Sequence, residues 1–278
     1  MSNPLRPAGA PAEDAPAQTP APSLSTDSRF VEVELPSKGL LYGPDSPVPT
    51  PVLPGGIVSI RKTTIAEEEA MWSAQGDSSS RMTRMLNSVC RLPHGFDSAS
   101  LLATDRVFLM IALRRLNFGP NYKVQFKCEA CGARQTTNVD VVQDLNLQEP
   151  AEDLSEPLLV ELADVGRIIG LRFRRGSDEA ATAAAARVAE RRGQAHSLVE
   201  ESLMRMIVVV DGVPFADALT KRDLIRQMTS TDLFRIRSTM DRNEPGVDLR
   251  IYPTCTACQE VNEMGLPFSE DFFRPSEL

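Results

Sequence analysis

Cys128-Glu-Ala-Cys131-Gly132 and Cys255-Thr-Ala-Cys258 decide how this chain is read. An alternating run, Tyr122, Val124 and Phe126, precedes the first pair, and Leu249, Ile251 and Pro253 precede the second. With the cysteines superposed, Val139 and Val141 after the first pair fall on Leu266 and Phe268 after the second. Apolar residues spaced by two line one face of a strand. Each half therefore reads as strand, two-residue knuckle, strand. Two residues between cysteines let both thiolates face one ion from a tight turn. Two such knuckles supply the four ligands of a tetrahedral structural zinc at about 2.3 Å. The predicted ligands are Cys128, Cys131, Cys255 and Cys258, with Zn2+ as a structural cofactor and no position left open for water.

Disulfides and redox chemistry are the competing readings. Disulfides need an oxidising compartment, and the first residues show no charged region followed by an apolar core, so no secretory signal is read there. A redox CxxC opens a helix after a strand, whereas neither knuckle is followed by a helical pattern. The fifth cysteine, Cys90, falls in a helical stripe with Met82, Met85, Leu86 and Val89 and is expected in the core. Carrying a long insertion between the knuckles costs little, since loop closure adds roughly 0.6 kcal/mol per doubling of length. Zinc binding to four thiolates contributes on the order of 10 kcal/mol. The metal is expected to staple the end of the chain to its middle.

The 278 residues, 42% of them apolar, suffice for one large domain or two ordinary ones. A net charge of −8 weighs against gripping nucleic acid, which takes clustered Lys and Arg. Aromatics are few, so a stacking platform for bases is not expected. No apolar run approaches the roughly 18 residues of a membrane span. His94 and His196 stand beside no nucleophile pattern, and Glu67, Glu68 and Glu69 sit where acids ordinarily meet a helix dipole. No catalytic residue and no small-molecule substrate are assigned, and the chain is not expected to be an enzyme.

Residues 1–28 are rich in Pro and Ala and are expected to form a disordered arm. Residues 29–142 are read as an N-terminal α+β domain holding the first knuckle. Within it, strands are expected around Phe30–Leu35 and Ile57–Ile60. A Thr64/Glu67 capping box opens a helix, Ser78–Ser80 cap a second, and Thr104 caps a third that Gly119 ends. Residues 143–247 are read as an inserted, mainly helical domain. It begins with a hairpin over Leu158–Phe173 and a helix over Ser177–Arg192. Helical spacing follows over Val199–Val210, then two short helices over Thr220–Met228 and Ser230–Asp241. Residues 248–278 hold the second knuckle and an aromatic tail. The fold class is α+β, a mostly helical body with short antiparallel strands and a zinc-ribbon-like module from the two CxxC knuckles.

Several of these segments, in this order, resemble the small baseplate hub proteins of contractile-tailed bacteriophages of the T-even type. The residues that carry the resemblance are Leu35-Pro-Ser-Lys-Gly-Leu-Leu-Tyr42, Leu101-Leu102 with Asp105-Arg106, Leu113-Arg114, Gly119 and Tyr122. Both CxxC pairs and the terminal Phe272-Phe273 complete it. Gln259 stands where a second knuckle often has glycine. The resemblance implies a structural or assembly component of the tail baseplate, in its hub or wedge, with other phage baseplate or tail proteins as partners. It implies the host cytoplasm as the place of assembly and leaves retention in the virion open. It carries no catalytic residues.

Two stretches place large apolar residues outside any periodic pattern: Leu40-Leu41-Tyr42, after a Pro/Gly bend, and Phe268, Phe272 and Phe273. They are candidate partner-binding residues, because clustered aromatic anchors typify interface hot spots. The competing reading is that they cover the chain's own core. The alternative function is a zinc-ribbon nucleic-acid-binding protein. Lys123, Lys127 and Arg134 around the first knuckle are balanced by Glu129 and Asp140, and Arg250 around the second by Glu260 and Glu263, so neither presents a basic face.

Overall fold

A computed structural model describes residues 29–73, 77–215, 217–267 and 270–273. The arm over 1–28 and Phe268 lie outside the described residues. Strand β1 (Phe30–Glu34) pairs antiparallel with β2 (Ile57–Arg61), Val31 opposite Ile60. The Thr64/Glu67 box is formed: Glu67 N donates to Thr64 Oγ1 at 3.3 Å and Thr64 N to Glu67 Oε2 at 2.8 Å. It opens α1 (Ile65–Ser73).

The next helix, α2 (Ser78–Val89), is capped by Asp77 and not by the serines. The Asp77 carboxylate accepts from Ser80 N at 2.8 Å, so the serines occupy the first turn instead. The helix also ends earlier than its stripe predicts. Cys90 and Arg91 form β3, with Cys90 opposite Ile60 of β2. Cys90 is part of the core periphery, and burial pushes its thiol up to about 12.

Helix α3 (Ala103–Phe118) is buried on most of its faces and ends at Gly119. Thr104 does not cap it, because it already lies in the first turn. The cap position is Leu102, whose amide donates to Tyr42 Oη at 2.9 Å. Strands β4 (Asn121–Lys127) and β5 (Arg134–Asp140) then form the first knuckle hairpin, with Tyr122 opposite Val139.

A short β6 (Asn146–Gln148) leads to the hairpin of β7 (Leu158–Leu162) and β8 (Arg167–Leu171), and then to α4 (Gly176–Arg191). The helical spacing read over Val199–Val210 holds through α5 (Leu198–Met206) and then fails. Ile207-Val-Val-Val210 is β9, paired with β8. Four consecutive β-branched residues favour the extended chain, and an open sheet edge was there to receive them. Asp211-Gly212 turns the chain into β10 (Val213–Pro214), giving the order β10-β9-β8-β7. Helices α6 (Ala218–Gln227) and α7 (Ser230–Asn243) follow, the second opened by a Thr229/Asp232 capping box. Strand β11 (Gly246–Asp248) returns to pair with β6. Strands β12 (Arg250–Ile251) and β13 (Met264–Gly265) flank the second knuckle, and α8 (Glu270–Phe273) ends the described chain. The molecule is α+β with short antiparallel strands.

One core cluster joins Leu35, Leu41, Leu101 and Leu109 to Val160, Leu162, Ile236 and Met240. Residues 143–247 therefore share a core with residues 29–142. A second cluster packs Ile111 of α3 against Tyr122, Val124, Val139, Ile251, Leu266 and Phe272. Helix α3 thus carries the body on one side and both knuckle hairpins on the other.

A buried polar network fixes the Leu35–Tyr42 bend to α3. Asp105 is fully buried and accepts from Ser37 N (3.2 Å), Ser37 Oγ (2.6 Å) and Tyr42 Oη (2.6 Å). Burial raises the Asp105 carboxyl, while these hydrogen bonds pull it back. Arg175, also fully buried, donates to Leu41 O, Ser46 Oγ and Ser100 O and pairs with Glu156 at 3.3 Å. Gly39 allows the bend: its φ is +79°, and an added Cβ would lie 2.1 Å from Leu53 O. Ser37, Tyr42 and Asp105, three of the residues within the segments that carry the family resemblance, thus interlock here.

Candidate metal centre

Each knuckle is a strand ladder interrupted by a tight turn. In the first, Cys128 N donates to Ala133 O and Gly132 N to Cys128 O, both at 2.9 Å. In the second, Cys255 N donates to Glu260 O at 2.7 Å and Gln259 N to Cys255 O at 2.8 Å. The two turns are therefore built alike. Gly132 has φ +74° and Gln259 takes φ +63°, so Gln259 adopts the left-handed backbone that glycine holds in the first knuckle.

The two turns face each other and bring four sulfurs together, all within 4.8 Å of one another. Cys128 Sγ lies 3.7 Å from Cys258 Sγ, and Cys131 Sγ 3.6 Å from Cys255 Sγ. A tetrahedron of thiolates about 2.3 Å from a central ion has edges of about 3.8 Å. The separations fit that figure and are far from a disulfide bond of about 2.05 Å. All four cysteines are free thiols, Cys128 and Cys255 buried, Cys131 and Cys258 exposed. The amides of Cys131 and Ala130 hold the Cys128 thiol below its ordinary range. Burial works to raise Cys255, but the amides of Cys258 and Ala257 outweigh it and bring that thiol down to about 6. At Cys258 the Glu260 amide works downward, but the crowding sulfurs of Cys255, Cys131 and Cys128 outweigh it and push that thiol up to about 12. Four sulfurs this close cannot all ionise alone, and a cation among them favours the thiolate form that binds metal. This donor set can hold a metal ion.

Two residues that the cysteine pattern did not reveal complete the site. Gln135 of β5 donates from Nε2 to Cys255 Sγ at 2.8 Å, and its Oε1 accepts from Thr256 N at 2.9 Å. Asn262 accepts from Glu129 N at 2.9 Å through Oδ1, and its Nδ2 reaches Glu260 O at 3.2 Å. Each side chain ties one knuckle to the other and orients the ligands from outside. Asn262 left a trace in the sequence. It occupies an inward position in the alternation Asn262, Met264, Leu266, and it is buried. Gln135 left none.

The candidate partner residues divide. Leu41, Tyr42 and Phe272 are buried in the chain's own clusters, whereas Leu40 is 45% exposed. The Phe272 ring meets Tyr122 edge-on at 5.0 Å, and Phe273 packs beside Trp72 at 6.4 Å. Among the described residues no helix is long and apolar enough to cross a membrane.

No curated protein and no solved structure matches the chain. A family model described as T4 bacteriophage base plate protein matches residues 46–274. That span contains both knuckles, α3 and the part of the shared core that follows residue 46. With most of its length matched, from the loop before β2 to the end of α8, the chain belongs to the T4 bacteriophage base plate protein family.

Proposed function

We propose that the chain is a structural component of a contractile phage tail baseplate, in its hub or wedge, and that it works through contacts with other baseplate or tail proteins. The family match over 46–274 carries this reading. In it, Cys128, Cys131, Cys255 and Cys258 bind one structural Zn2+ that fixes the C-terminal knuckle to the first hairpin. Four thiolates close the coordination shell, so the metal supplies stability and not a reactive water. Assembly takes place in the host cytoplasm. A net charge of −8 and the balanced charges around both knuckles support protein partners over nucleic acid. Leu40 is the exposed apolar residue of the bend available to such a partner.

Mass spectrometry of purified virions and of tail assembly intermediates tests the reading. The chain is expected in one or both. Its absence from both, or a salt-dependent shift of labelled DNA or RNA at micromolar protein, overturns it.

A further inference from the structure

Strand β1 lies at the edge of its sheet, and among the described residues it pairs with β2 alone. The register shows which of its amides face away from β2. Leu35 N donates to Gly56 O at 2.9 Å, continuing the ladder past Glu34↔Ile57. Antiparallel pairs alternate between bonded and non-bonded. Bonded pairs therefore fall at Leu35, Val33 and Val31. The N–H and C=O groups of Glu32 and Glu34 point away from β2.

That outer edge borders a groove of about 590 Å3. The groove is lined by Val31 and Val33 of β1, Ile111 and Leu116 of α3, and Val142 and Leu147 beyond β5. Val31, Val142 and Leu147 are 49%, 47% and 49% exposed, an apolar cluster facing solvent. Edge strands are ordinarily blunted by charged side chains, proline or a covering element. The β1 sequence, Phe-Val-Glu-Val-Glu, has no proline, and its charges are both glutamates, which repel an acidic strand and admit a basic one.

The charges narrow the occupant. Glu32 and Glu34 are exposed on the edge. Arg115 is the cation among the lining residues, and Lys38 is bonded to Glu149 at 2.7 Å. A second copy of β1 is disfavoured, because it would set glutamates against glutamates across the new pair. A strand alternating apolar and basic residues meets both the valines and the glutamates.

We propose that this groove receives an extended segment of a partner tail protein. The segment adds as an antiparallel strand to the outer edge of β1 and carries Lys or Arg opposite Glu32 and Glu34. Backbone pairing supplies affinity and the alternation supplies selectivity. The inference rests on the reading of the chain as a baseplate part and specifies a surface for it.

The probe is a fluorescent heptapeptide of alternating Lys and Val, titrated by anisotropy against the full chain. The bonded amides of an added strand are those opposite Glu32 and Glu34, which here belong to lysines. Methylating the Lys amides should weaken binding about tenfold or more, while methylating the Val amides leaves it unchanged. A peptide of alternating Glu and Val should bind as poorly as the Lys-methylated one. The double variant Glu32→Lys/Glu34→Lys should reverse that charge preference with an unchanged melting temperature. No measurable binding, equal binding by both methylated peptides, or dimerisation in sedimentation that the double variant abolishes would each overturn the proposal. If the peptide fails while the chain is present in purified tails, the groove inference alone falls. If the chain is absent from tails and intermediates, the baseplate reading falls with it.

Discussion

Replacing Tyr42 by Phe removes one oxygen and leaves the ring. Tyr42 is 7% exposed, and its ring meets Phe96 edge-on at 5.6 Å and lies 5.2 Å from the Arg175 guanidinium, so its packing is kept. The oxygen has two roles. It donates to the buried Asp105 carboxylate at 2.6 Å, and it accepts the Leu102 amide at 2.9 Å at the start of α3. A hydrogen bond to a charged group is worth about 1.5–3 kcal/mol, and an orphaned buried amide costs about 1–3 kcal/mol. Taking the lower half of each range, the variant should lose about 3 kcal/mol. For a chain of this size that is roughly 6–12 °C in Tm. Calorimetry and urea unfolding with an unchanged m-value would measure it. In an Asp105→Asn background the loss should shrink by about 1 kcal/mol or more, because the charged acceptor is already gone. A loss below about 1 kcal/mol in the parent chain would mean that the hydroxyl bridges nothing.

Three further outcomes follow from the same geometry. Purified protein should contain about one zinc per chain, and Cys255→Ser should abolish it and lower Tm sharply; a metal-free chain of equal stability would refute the site. Gln259→Gly relieves a left-handed non-glycine backbone and should stabilise the chain by about 1 kcal/mol, measured by urea unfolding; a loss would mean that the Gln259 side chain matters more than its φ. Burial raises the Glu244 carboxyl to about 7, and its Oε1 has no hydrogen-bond partner among the described residues. Since the folded state then holds this proton more tightly than the unfolded state, its contribution is complete below about pH 4.5 and is lost as pH rises through about 7. Between pH 5 and 8 the parent should lose about 2–3 kcal/mol that Glu244→Gln does not lose, while Glu67, held near 2 by Arg61, titrates below that window.

Much of this molecule was legible as local chemistry. The knuckle hairpins follow from cysteine spacing and period-two alternation, whose cause lies within ten residues of each turn. The Thr64/Glu67 box and the Gly119 stop are equally local. Errors arose where two local preferences met. Asp77 displaced the serines as a cap because a carboxylate one residue earlier was in reach. Val199–Val210 kept a helical rhythm, but its β-branched end found the edge of β8. Apolar period alone does not say whether a strand is waiting elsewhere.

By itself, then, the sequence determined where most helices and strands lie, which four cysteines can converge, and which family the chain resembles. Tertiary structure decided what those motifs are for. Ser37 and Tyr42 lie 68 and 63 residues from Asp105 in the chain, and the three are one buried network in space. Gln135 and Asn262 became part of the four-cysteine site by reaching across from one knuckle to the other. Leu41, Tyr42 and Phe272 were matched to the chain's own core. A polar side chain carries no local mark of a partner a hundred residues away, because the hydrogen bond that gives it meaning exists once both segments are packed and water is excluded from between them.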